Sequence, residues 1–396
     1  MTKTAPTVTE RLRKKVEQVI SSDAVHPLFS LATLFQIVSW LYAGVVITRN
    51  LMYERHLLPS RKVPCRVVSI GNLAVGGTGK TPMTVYFARW VKQLGYHPVI
   101  LSRGYKGRYE KQGAVVSDGC SIQCDASRAG DEPFLIANLL PAVPVIVGSD
   151  RIAAARLAIE RFDPDVLVLD DAFQHRRLHR DLDLLLLDDR APFGNRHLLP
   201  RGPLREPVAA LRRSHAIVLT RCSDSHASGY RQVSRIAGYR PVFQSHHQPL
   251  VRGVLPAGKL AAYQNLEPFS DANSARADGG RMFAFSGLAR NQSFRDTIPG
   301  SIGSLAGHMA FEDHHPYNSA DVKRIAAAAQ ARSCDRLVTT DKDFVRLPSS
   351  SAFPLPVLVM GIQMDFKADR DPFSNYIEQQ FRRWFDDRNI AAGDDH

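Results

Sequence analysis

Residues 71 to 82 read GNLAVGGTGKTP, after an apolar segment from Cys65 to Ile70 and before a run with helical spacing. A glycine-rich turn between a strand and a helix leaves backbone N–H groups free to bind phosphate oxygens. Lys80 adds a cation, and Thr81 offers a hydroxyl to Mg²⁺ at the start of the helix. The pattern therefore predicts a nucleotide phosphate site. Its predicted contacts are Ala74, Val75, Gly76, Gly77, Thr78, Gly79, Lys80 and Thr81.

One position departs from the strict consensus of such loops, which has glycine where this chain has Ala74. The context still favours phosphate binding, because apolar residues continue at helical spacing after the loop. Gly95 then ends the predicted helix, and the next strand is predicted from Pro98 to Ser102. The alternative is a glycine-rich turn that binds nothing. The combination of strand, lysine, threonine and helix argues against it.

The composition of the 396 residues is that of a globular protein, with 44% hydrophobic and 23% charged side chains. This length is sufficient for two domains. Five cysteines form no even framework, so we expect reduced thiols and no metal site built on them. Lysine and arginine exceed acidic residues by 51 to 39, which gives a net charge of +12. Because the sequence shows no nucleic-acid recognition motif, we expect no nucleic-acid partner despite this charge.

The N-terminal part of the chain combines positive charge with a long apolar segment. Residues 1 to 66 hold ten basic and four acidic side chains, whereas residues 26 to 48 hold neither kind. The apolar segment is long enough to cross a bilayer, and basic residues flank it. We expect a membrane-associated helix, either crossing the bilayer or lying among headgroups, with a buried core helix as the alternative. A separate polar helix is predicted ahead of it, over residues 8–22.

After this segment, apolar strands alternate with helices of ordinary length, which indicates a parallel sheet covered on both faces. The predicted class is α/β, with a core like that of P-loop NTPases over residues 65–245. A second, smaller α/β domain is predicted over residues 246–396, and the N-terminal helices occupy residues 1–64. The strand from Ala216 to Thr220 is predicted to close the first sheet. Residues 268–280 are predicted to form a surface excursion.

Paired aspartates follow two of the predicted strands. One apolar run ends at Asp170 and Asp171, and a second ends at Asp188 and Asp189. P-loop folds place the aspartate that holds Mg²⁺ at the carboxyl end of such a strand. The pattern alone does not choose between the two pairs.

Three loops carry charge where α/β sheets commonly bind ligands. SRGYKGR, residues 102 to 108, follows a strand and offers basic side chains. FGNRHLLPRGPLREP, residues 193 to 207, is too irregular for a helix or strand and too apolar for a linker, which indicates an ordered functional loop. FEDHHPY, residues 311 to 317, fits a metal site, an acid–base site or an ordinary polar loop, and its spacing leaves all three open.

Taken in order, these segments resemble the tetraacyldisaccharide 4'-kinase family of lipid A synthesis. The resemblance covers the chain from about residue 28 to about residue 362. The matching segments are GNLAVGGTGKTP, SRGYKG, GDEP, VGSDR, DDAFQH, the FGN…LLPRGPLREP loop, FSGLA, FEDHHPY and TTDKD. Each segment alone is weakly specific, whereas nine in one order are a specific signal. The chain departs from the family at Ala172, where glycine is common, and at FGNRHLLP, where FGNGRLLP is common. Both departures affect loop details and leave the charged residues in place.

The resemblance implies an activity and residue roles. The activity is ATP-dependent transfer of the γ-phosphate to the 4'-hydroxyl of a tetraacyldisaccharide 1-phosphate, forming lipid IVA. The family's paired aspartates precede a segment like xFQH, which assigns Asp170 and Asp171, with Thr81, to Mg²⁺. Asp131 of GDEP and His314 correspond to the family's catalytic pair. Which of the two takes the proton stays open, and we choose Asp131 as the base, oriented or assisted by His314. Lys80 then binds the phosphate oxygens of ATP.

The resemblance also implies partners and a location. The lipid disaccharide stays in the bilayer, so we expect a monomer at the cytoplasmic face of the inner membrane, held there by the N-terminal helix. The sugar and its 1-phosphate require cations, for which the candidates are Arg103, Lys106, Arg151 and Arg205.

Two other functions fit the phosphate-binding loop. Membrane-recruited P-loop ATPase switches share GG-x-GKT but place a lysine just before the glycine pair, where this chain has Val75. That difference favours a kinase. A P-loop kinase acting on a different lipid or sugar fits the loop itself equally well.

Overall fold

The computed structural model describes residues 30–223, 228–269, 280–289, 291–301 and 304–393. The predicted polar helix over residues 8–22 lies outside the described residues. The same holds for the first residues of the apolar segment and for most of the predicted excursion over 268–280.

The described residues form helices and strands in alternation. The α-helices are α1 (Leu31–Glu54), α2 (Lys80–Gln93), α3 (Ala126–Ala129), α4 (Asp131–Leu139), α5 (Arg151–Phe162), α6 (Ser228–Ala237), α7 (Asn291–Ser301), α8 (Ser319–Gln330), α9 (Asp341–Phe344) and α10 (Arg370–Gly393). The strands are β1 (Arg66–Asn72), β2 (Pro98–Ser102), β3 (Ala114–Ser117), β4 (Val145–Val147), β5 (Val166–Asp170), β6 (Leu182–Asp188), β7 (Ala216–Thr220), β8 (Val242–Gln244), β9 (His246–Leu255), β10 (Arg281–Ser286), β11 (Ser304–Ala310), β12 (Arg336–Thr340) and β13 (Val357–Asp365). The predicted α/β class is confirmed.

One compact unit contains the described residues up to Lys80, together with Val166–His246 and the residues from Asp365 onward. Its strands lie in the order β5, β1, β6, β7, β8, and neighbouring strands are parallel. Strand β6 is buried along its whole length, as expected for a parallel strand covered on both faces. The prediction that β7 closes the sheet is wrong, because β8 pairs in parallel beyond it. With only three residues, β8 is too short to show a pattern.

The order of these strands determines where ligands can bind. Strand β1 lies between β5 and β6, and parallel strands bring their carboxyl ends to one edge of a sheet. The glycine-rich turn follows β1, whereas Asp170 and Asp188 end β5 and β6. The turn and both acidic strand ends therefore share one edge.

Helix α1 packs one face on this unit and leaves another face exposed. Ser39 Oγ donates to the carbonyl oxygen of Leu198 at 2.9 Å, and Asn50 Nδ2 donates to Glu206 Oε2 at 2.6 Å. Among the described residues, α1 is the one helix long and apolar enough to cross a membrane. We call its exposed apolar side chains the apolar face; they are Leu31, Leu34, Ile37, Val38, Trp40, Leu41, Val45, Ile47 and Leu51.

A buried carboxylate anchors the C-terminal half of α1. The Glu206 side chain is fully buried, and its oxygens accept from Arg213 Nη1 and Nη2 at 2.7 and 3.1 Å, in addition to Asn50. Burial would raise the pKa of Glu206, but the hydrogen bonds and charge of Arg213 outweigh burial and lower it. The helix is therefore fixed to this unit by an ionised, fully hydrogen-bonded group.

The second compact unit contains Thr81–Asp165 and His247–Met364. In its first part β4 lies between β3 and β2, parallel to β2 and antiparallel to β3. Its other part is a five-stranded sheet in the order β11, β10, β12, β13, β9. Phe285, Phe344 and Phe353 belong to the apolar core of this part. The domain boundaries expected at residues 64/65 and 245/246 stay a prediction.

Candidate active site

The turn after β1 has the backbone of a phosphate cradle. Gly76 and Gly79 have φ angles of +113° and +83°, in the left-handed region that favours glycine. A Cβ at Gly76 would meet no atom within 4 Å, so the turn is open to a ligand. Helix α2 begins at Lys80, and Thr81 follows in its first turn. The free N–H groups of this first turn add to the positive potential at the loop.

Neighbouring segments fix the shape of the turn. Asn72 Nδ2 donates to Thr78 Oγ1 at 2.9 Å, and Thr220 Oγ1 donates to the carbonyl oxygen of Thr78 at 2.9 Å. The N–H of Val75 donates to the carbonyl oxygen of Pro203 at 2.8 Å. Pro203 lies in the loop over residues 193–207, so that loop supports the glycine-rich turn directly.

The structure explains why Ala74 stands where the consensus has glycine. Ala74 forms an antiparallel bridge with Leu204, and the N–H of Arg205 donates to the carbonyl oxygen of Leu73 at 2.7 Å. Extended pairing of this kind needs no left-handed residue, so a Cβ is tolerated at position 74.

Asp171 lies between two cations. Lys80 Nζ is 3.6 Å from Asp171 Oδ2, and Arg205 Nη1 donates to Oδ1 and Oδ2 at 2.9 and 3.0 Å. Asp171 has a φ of +51°, which is uncommon for a residue with a side chain, and Asp170 before it is buried. The structure thus brings the predicted phosphate lysine next to a predicted metal ligand. It also places Arg205, predicted to bind substrate, against that metal ligand.

The second aspartate pair has a different partner. Asp188 Oδ2 accepts from Arg221 Nη1 at 2.6 Å. A Cβ at Gly77 would lie 3.7 Å from Arg221 Nη2, so this guanidinium group lies beside the phosphate-binding turn. Sequence reasoning missed Arg221, although its place directly after β7, at the carboxyl edge of the sheet, could have indicated it.

Asp131 is the first residue of α4, and the SRGYKG loop packs against the start of that helix. A Cβ at Gly107 would lie 2.5 Å from the backbone nitrogen of Gly130 and 2.6 Å from the carbonyl oxygen of Arg128. The N–H of Tyr109 donates to the same carbonyl oxygen at 3.0 Å. Glycine at position 107 therefore permits the backbone contact that places Asp131.

The two residues predicted as a catalytic pair are in contact. Asp131 Oδ2 lies 3.1 Å from His314 Nδ1. Arg346, which sequence reasoning missed, donates from Nε to the same Asp131 oxygen at 2.6 Å, and its Nη2 lies 3.1 Å from His314 Nδ1. Burial would raise the pKa of Asp131, but the hydrogen bond with His314 and the charge of Arg346 outweigh burial and lower it. Asp131 is thus ionised at neutral pH.

Further polar groups hold this cluster from the TTDKD segment. Arg346 Nη1 lies 3.3 Å from Asp343 Oδ1, and neither side chain is more than 4% exposed. Beside Asp131, Glu132 Oε1 accepts from Lys342 Nζ at 2.8 Å. The TTDKD segment therefore supports the Asp131 site.

Comparison with known proteins identifies the family. The family described as tetraacyldisaccharide-1-P 4'-kinase matches residues 31–382. The chain belongs to this family. Its curated relatives include the tetraacyldisaccharide 4'-kinase of Syntrophus aciditrophicus, which is 40% identical over 349 residues, 86% of this chain and 90% of that protein. The enzyme of Desulfatibacillum aliphaticivorans is 36% identical over 378 residues, covering 94% of this chain and 98% of that protein.

A solved structure of the family has the same fold. The crystal structure of LpxK from Aquifex aeolicus, described as an "apo" form in complex with ATP, matches with a TM-score of 0.69 and 30% sequence identity. The match covers 89% of this chain and 99% of that chain. The predicted P-loop fold class is therefore confirmed.

The residues expected to hold Mg²⁺ in this family fit that ion chemically. Thr81 offers a hydroxyl, and Asp170 and Asp171 offer carboxylates, the hard oxygen ligands that Mg²⁺ prefers. Within the part of the chain that the structure describes, no group of three or more His, Cys, Asp and Glu residues is arranged to hold a metal ion. Mg²⁺ in kinases takes most of its ligands from phosphates and water, so few protein ligands are needed.

The basic residues expected to bind the kinase substrate differ in their surroundings. Arg103 is exposed, and its Nε donates to Glu110 Oε1 at 2.7 Å. Lys106 is exposed in the same loop, with a φ of +62°. Arg151 is 3% exposed and donates to the carbonyl oxygen of Gly148. Arg103 and Lys106 are thus accessible, whereas Arg151 has a structural partner.

Proposed function

We propose that this chain transfers the γ-phosphoryl group of ATP to the 4'-hydroxyl of a tetraacyldisaccharide 1-phosphate, the activity named for its family. Family membership makes it a kinase of lipid A biosynthesis. The observation that carries the reaction chemistry is the 3.1 Å contact between Asp131 and His314. A carboxylate held by a histidine is a general base for a sugar hydroxyl.

At the phosphate end, residues 74 to 81 would hold the β- and γ-phosphates of ATP, with Lys80 on their oxygens. Arg221 lies beside Gly77 and would add a second cation. Thr81, Asp170 and Asp171 would hold Mg²⁺, which supplies charge neutralisation on the phosphates. Phosphoryl transfer depends mainly on such positioning and charge neutralisation.

At the acceptor end, Asp131 would take the proton of the 4'-hydroxyl. The oxygen of that hydroxyl group bonds at the same time to the γ-phosphorus of ATP. The bond from that phosphorus to the bridging oxygen breaks, and ADP leaves. The lowered pKa of Asp131 keeps it ionised and able to accept a proton at neutral pH. His314, 3.1 Å away, would orient or assist it.

Arg103 and Lys106 are the proposed contacts for the substrate's anionic and polar groups, because both are exposed in one loop. Arg151 and Arg205 already bind Gly148 and Asp171. A substrate role for these two requires that they exchange those partners.

We place the protein at the cytoplasmic face of the inner membrane, as a monomer, where its lipid substrate and ATP are both available. The exposed apolar face of α1 supports membrane attachment. Ser39 and Asn50, about three helical turns apart, both bind the protein body. Because α1 is fixed to the protein along its length, we favour a helix that lies in the membrane surface over one that crosses the bilayer.

The test uses the purified full chain, γ-labelled ATP, Mg²⁺ and the lipid disaccharide 1-phosphate in mixed micelles. We expect a labelled 4'-phosphate product. ATP hydrolysis without phospholipid product would favour an ATPase switch, and label on another acceptor would favour a kinase for a different lipid or sugar.

Two substitutions connect this activity to the site. Lys80→Ala and Asp131→Ala should each reduce product formation by at least about a hundredfold, the contribution expected of a general base or a phosphate clamp. Lys323→Ala on α8 and Glu160→Ala on α5, both exposed, are matched controls that should retain activity. Near-normal product from either site variant would remove that residue from the mechanism.

A further inference from the structure

We propose that Tyr42 of α1 is a positioning residue for the pair formed by Arg205 and Asp171. The Tyr42 hydroxyl group donates to the carbonyl oxygen of Arg205 at 2.9 Å. The Arg205 side chain in turn donates from Nη1 to both carboxylate oxygens of Asp171, at 2.9 and 3.0 Å. The inference rests on the proposed function for its catalytic meaning, because that function assigns Asp171 to Mg²⁺.

Hydrogen bonds hold the backbone of Arg205 on both sides. Its N–H donates to the carbonyl oxygen of Leu73, just before the glycine-rich turn, at 2.7 Å. Its carbonyl oxygen accepts from Tyr42. The guanidinium group reaches Asp171 from this fixed backbone, so the two bonds determine where Nη1 lies. A group that is held in place before it acts loses less conformational freedom when it binds.

The Tyr42 side chain is itself held in place. Its ring packs against an apolar cluster that contains Leu73 and Leu204. Leu204 precedes Arg205 in the chain and pairs with Ala74 of the glycine-rich turn. Because packing fixes the ring, it also fixes the direction of the hydroxyl group, as is common for a buried tyrosine with a hydrogen-bond partner. The Arg205 carbonyl oxygen therefore has a donor with little freedom to move.

Helix α1 also holds the segments on both sides of the pair. Asn50 Nδ2 donates to Glu206, which follows Arg205 in the chain. The carbonyl oxygen of Asn50 accepts from Arg176 Nη1 at 3.0 Å, and Arg176 belongs to the segment that follows Asp171. Both chain segments that carry the pair are therefore bound to one helix.

The same helix carries the apolar face. Leu41 and Val45 are 68% and 69% exposed, whereas Tyr42, next to Leu41, is partly buried against the protein. The helix thus presents one side to its surroundings and the other to the loop over residues 193–207. The element that we place in the membrane surface also positions a side chain at the proposed Mg²⁺ site.

The Mg²⁺ dependence of the full-length protein separates a positioning role from a purely structural one. Tyr42→Phe keeps the ring and removes the hydroxyl group. Without that hydrogen bond the Arg205 guanidinium group competes less well for Asp171. The half-saturating Mg²⁺ concentration for 4'-phosphorylation should then fall by about two- to fivefold, and no further than in Arg205→Gln. A lower Tm with wild-type Mg²⁺ dependence would assign Tyr42 a structural role only and overturn the inference.

A double-mutant cycle shows whether the effect passes through Arg205. In Arg205→Gln the competing guanidinium group is already absent. Adding Tyr42→Phe to that variant should cause no further change in the half-saturating Mg²⁺ concentration. Two effects that multiply would show that Tyr42 acts on the Mg²⁺ site by another route, against the inference.

Ser39→Ala is the matched control on the same helix. Ser39 Oγ donates to the carbonyl oxygen of Leu198, in the same loop, at 2.9 Å. That oxygen keeps a second donor, the N–H of Gly202, at 3.0 Å. The variant removes a bond between α1 and the loop and leaves the Tyr42–Arg205 bond in place, so the Mg²⁺ dependence should be that of the wild type. The same shift as in Tyr42→Phe would indicate general loosening of α1 and contradict a specific role of Tyr42.

Hydrogen exchange tests the contact without turnover. Pro203 and Pro207 lack amide hydrogens, so a peptide over residues 203–207 reports only on the three amides between them. In Tyr42→Phe these amides should exchange about two- to tenfold faster, the fold-change that one hydrogen bond supplies. In Ser39→Ala they should exchange at the wild-type rate. An unchanged rate in Tyr42→Phe would overturn the inference.

The outcomes separate the inference from the proposed function. A wild-type protein that forms no 4'-phosphate product contradicts the function, and the exchange rates still test whether Tyr42 holds Arg205. An active Tyr42→Phe variant with wild-type Mg²⁺ dependence contradicts the role of Tyr42 and leaves the function standing.

Discussion

Arg205 Nη1 lies 2.9 Å from Asp171 Oδ1 and 3.0 Å from Oδ2. Lys80 Nζ lies 3.6 Å from the same carboxylate. A proposed Mg²⁺ ligand is therefore neutralised by protein cations, one of which belongs to the phosphate-binding loop. Any cation that binds Asp171 must compete with Arg205.

The first prediction concerns Arg205→Gln. Loss of the competing guanidinium should lower the half-saturating Mg²⁺ concentration by about two- to fivefold, since partly exposed ion pairs contribute up to about 1 kcal/mol. The KM for the lipid should stay constant. Initial rates measured against Mg²⁺ and lipid separately give both values.

Arg103→Gln is the matched control, because Arg103 is a second proposed substrate contact and its ion-pair partner is Glu110. It should raise the lipid KM and leave the Mg²⁺ dependence unchanged. If Arg205→Gln behaves like Arg103→Gln, Arg205 serves the substrate instead of tuning the metal site.

The second prediction concerns Gly107→Ala. A Cβ there would lie 2.5 Å from the backbone nitrogen of Gly130, a distance that forces one of the two segments to move. Because Asp131 follows Gly130 directly, we expect a loss of kcat of about tenfold or more, as small misplacements of catalytic groups cause. A crystal structure or hydrogen exchange of residues 126–135 would show the displacement.

Gly95→Ala is a control, since a Cβ at Gly95 would meet no atom within 4 Å, whereas its φ of +90° favours glycine. Gly95→Ala therefore strains the backbone without a steric clash, whereas Gly107→Ala creates a clash beside Asp131. Equal kcat values for the two would refute the positioning role of the SRGYKG loop.

The sequence predicted the glycine-rich turn between a strand and a helix, because the residues of this turn are consecutive. Loop geometry, the lysine and the helix start all lie within 71 to 82, so local pattern suffices. The sequence pattern did not decide which acidic strand end, that of Asp171 or that of Asp188, is the one expected to hold Mg²⁺. Strands β5 and β6 flank β1 on its two sides, so both acidic ends reach the same edge as the turn. Only side-chain contacts, Asp171 with Lys80 and Asp188 with Arg221, distinguish them.

The Asp131 site shows where local pattern fails. Asp131 and His314 are 183 positions apart, and Arg346 is 215 positions from Asp131. The resemblance to the family identified Asp131 and His314 as candidates. Nothing in the segment around Arg346 indicated its role, because an arginine after a short helix is ordinary on its own. Its contacts depend on how the TTDKD segment and α4 pack within the second unit.

The third prediction concerns stability and pH at His308. Burial lowers the pKa of His308, with a further contribution from the charge of Arg295, and its Nε2 lies 2.9 Å from Ser286 Oγ. The folded protein then binds protons less readily than the unfolded chain, whose histidines titrate near pH ~6.5. The stabilising contribution is therefore present above that pH and lost as the pH falls below it.

Melting temperatures at pH 7.5 and 5.5 measure this effect. His308→Gln should show a smaller drop in Tm between the two pH values than the wild type. His97→Gln, at an exposed position, should show the wild-type drop. An equal drop in all three proteins would mean that His308 does not couple protonation to folding.

The fourth prediction concerns the apolar face of α1. Leu41 and Val45 are 68% and 69% exposed, so charging them should not disturb the packing of the helix on the protein. Replacing both by glutamate removes apolar contact with lipid worth about 1.5–3 kcal/mol per side chain. Co-sedimentation with anionic vesicles should fall by tenfold or more. Ile236→Glu, on α6 and 44% exposed, should bind vesicles like the wild type.

The position of Trp40 distinguishes a helix lying in the membrane surface from one that crosses it. Trp40 is 65% exposed on the apolar face, and the chain has two other tryptophans, which Trp90→Phe and Trp384→Phe remove. With brominated lipids, a helix in the surface places Trp40 near the headgroups, so bromines near the start of the acyl chain should quench its fluorescence most. Strongest quenching by bromines near the bilayer centre would instead indicate a crossing helix, because Trp40 lies near the middle of the apolar segment.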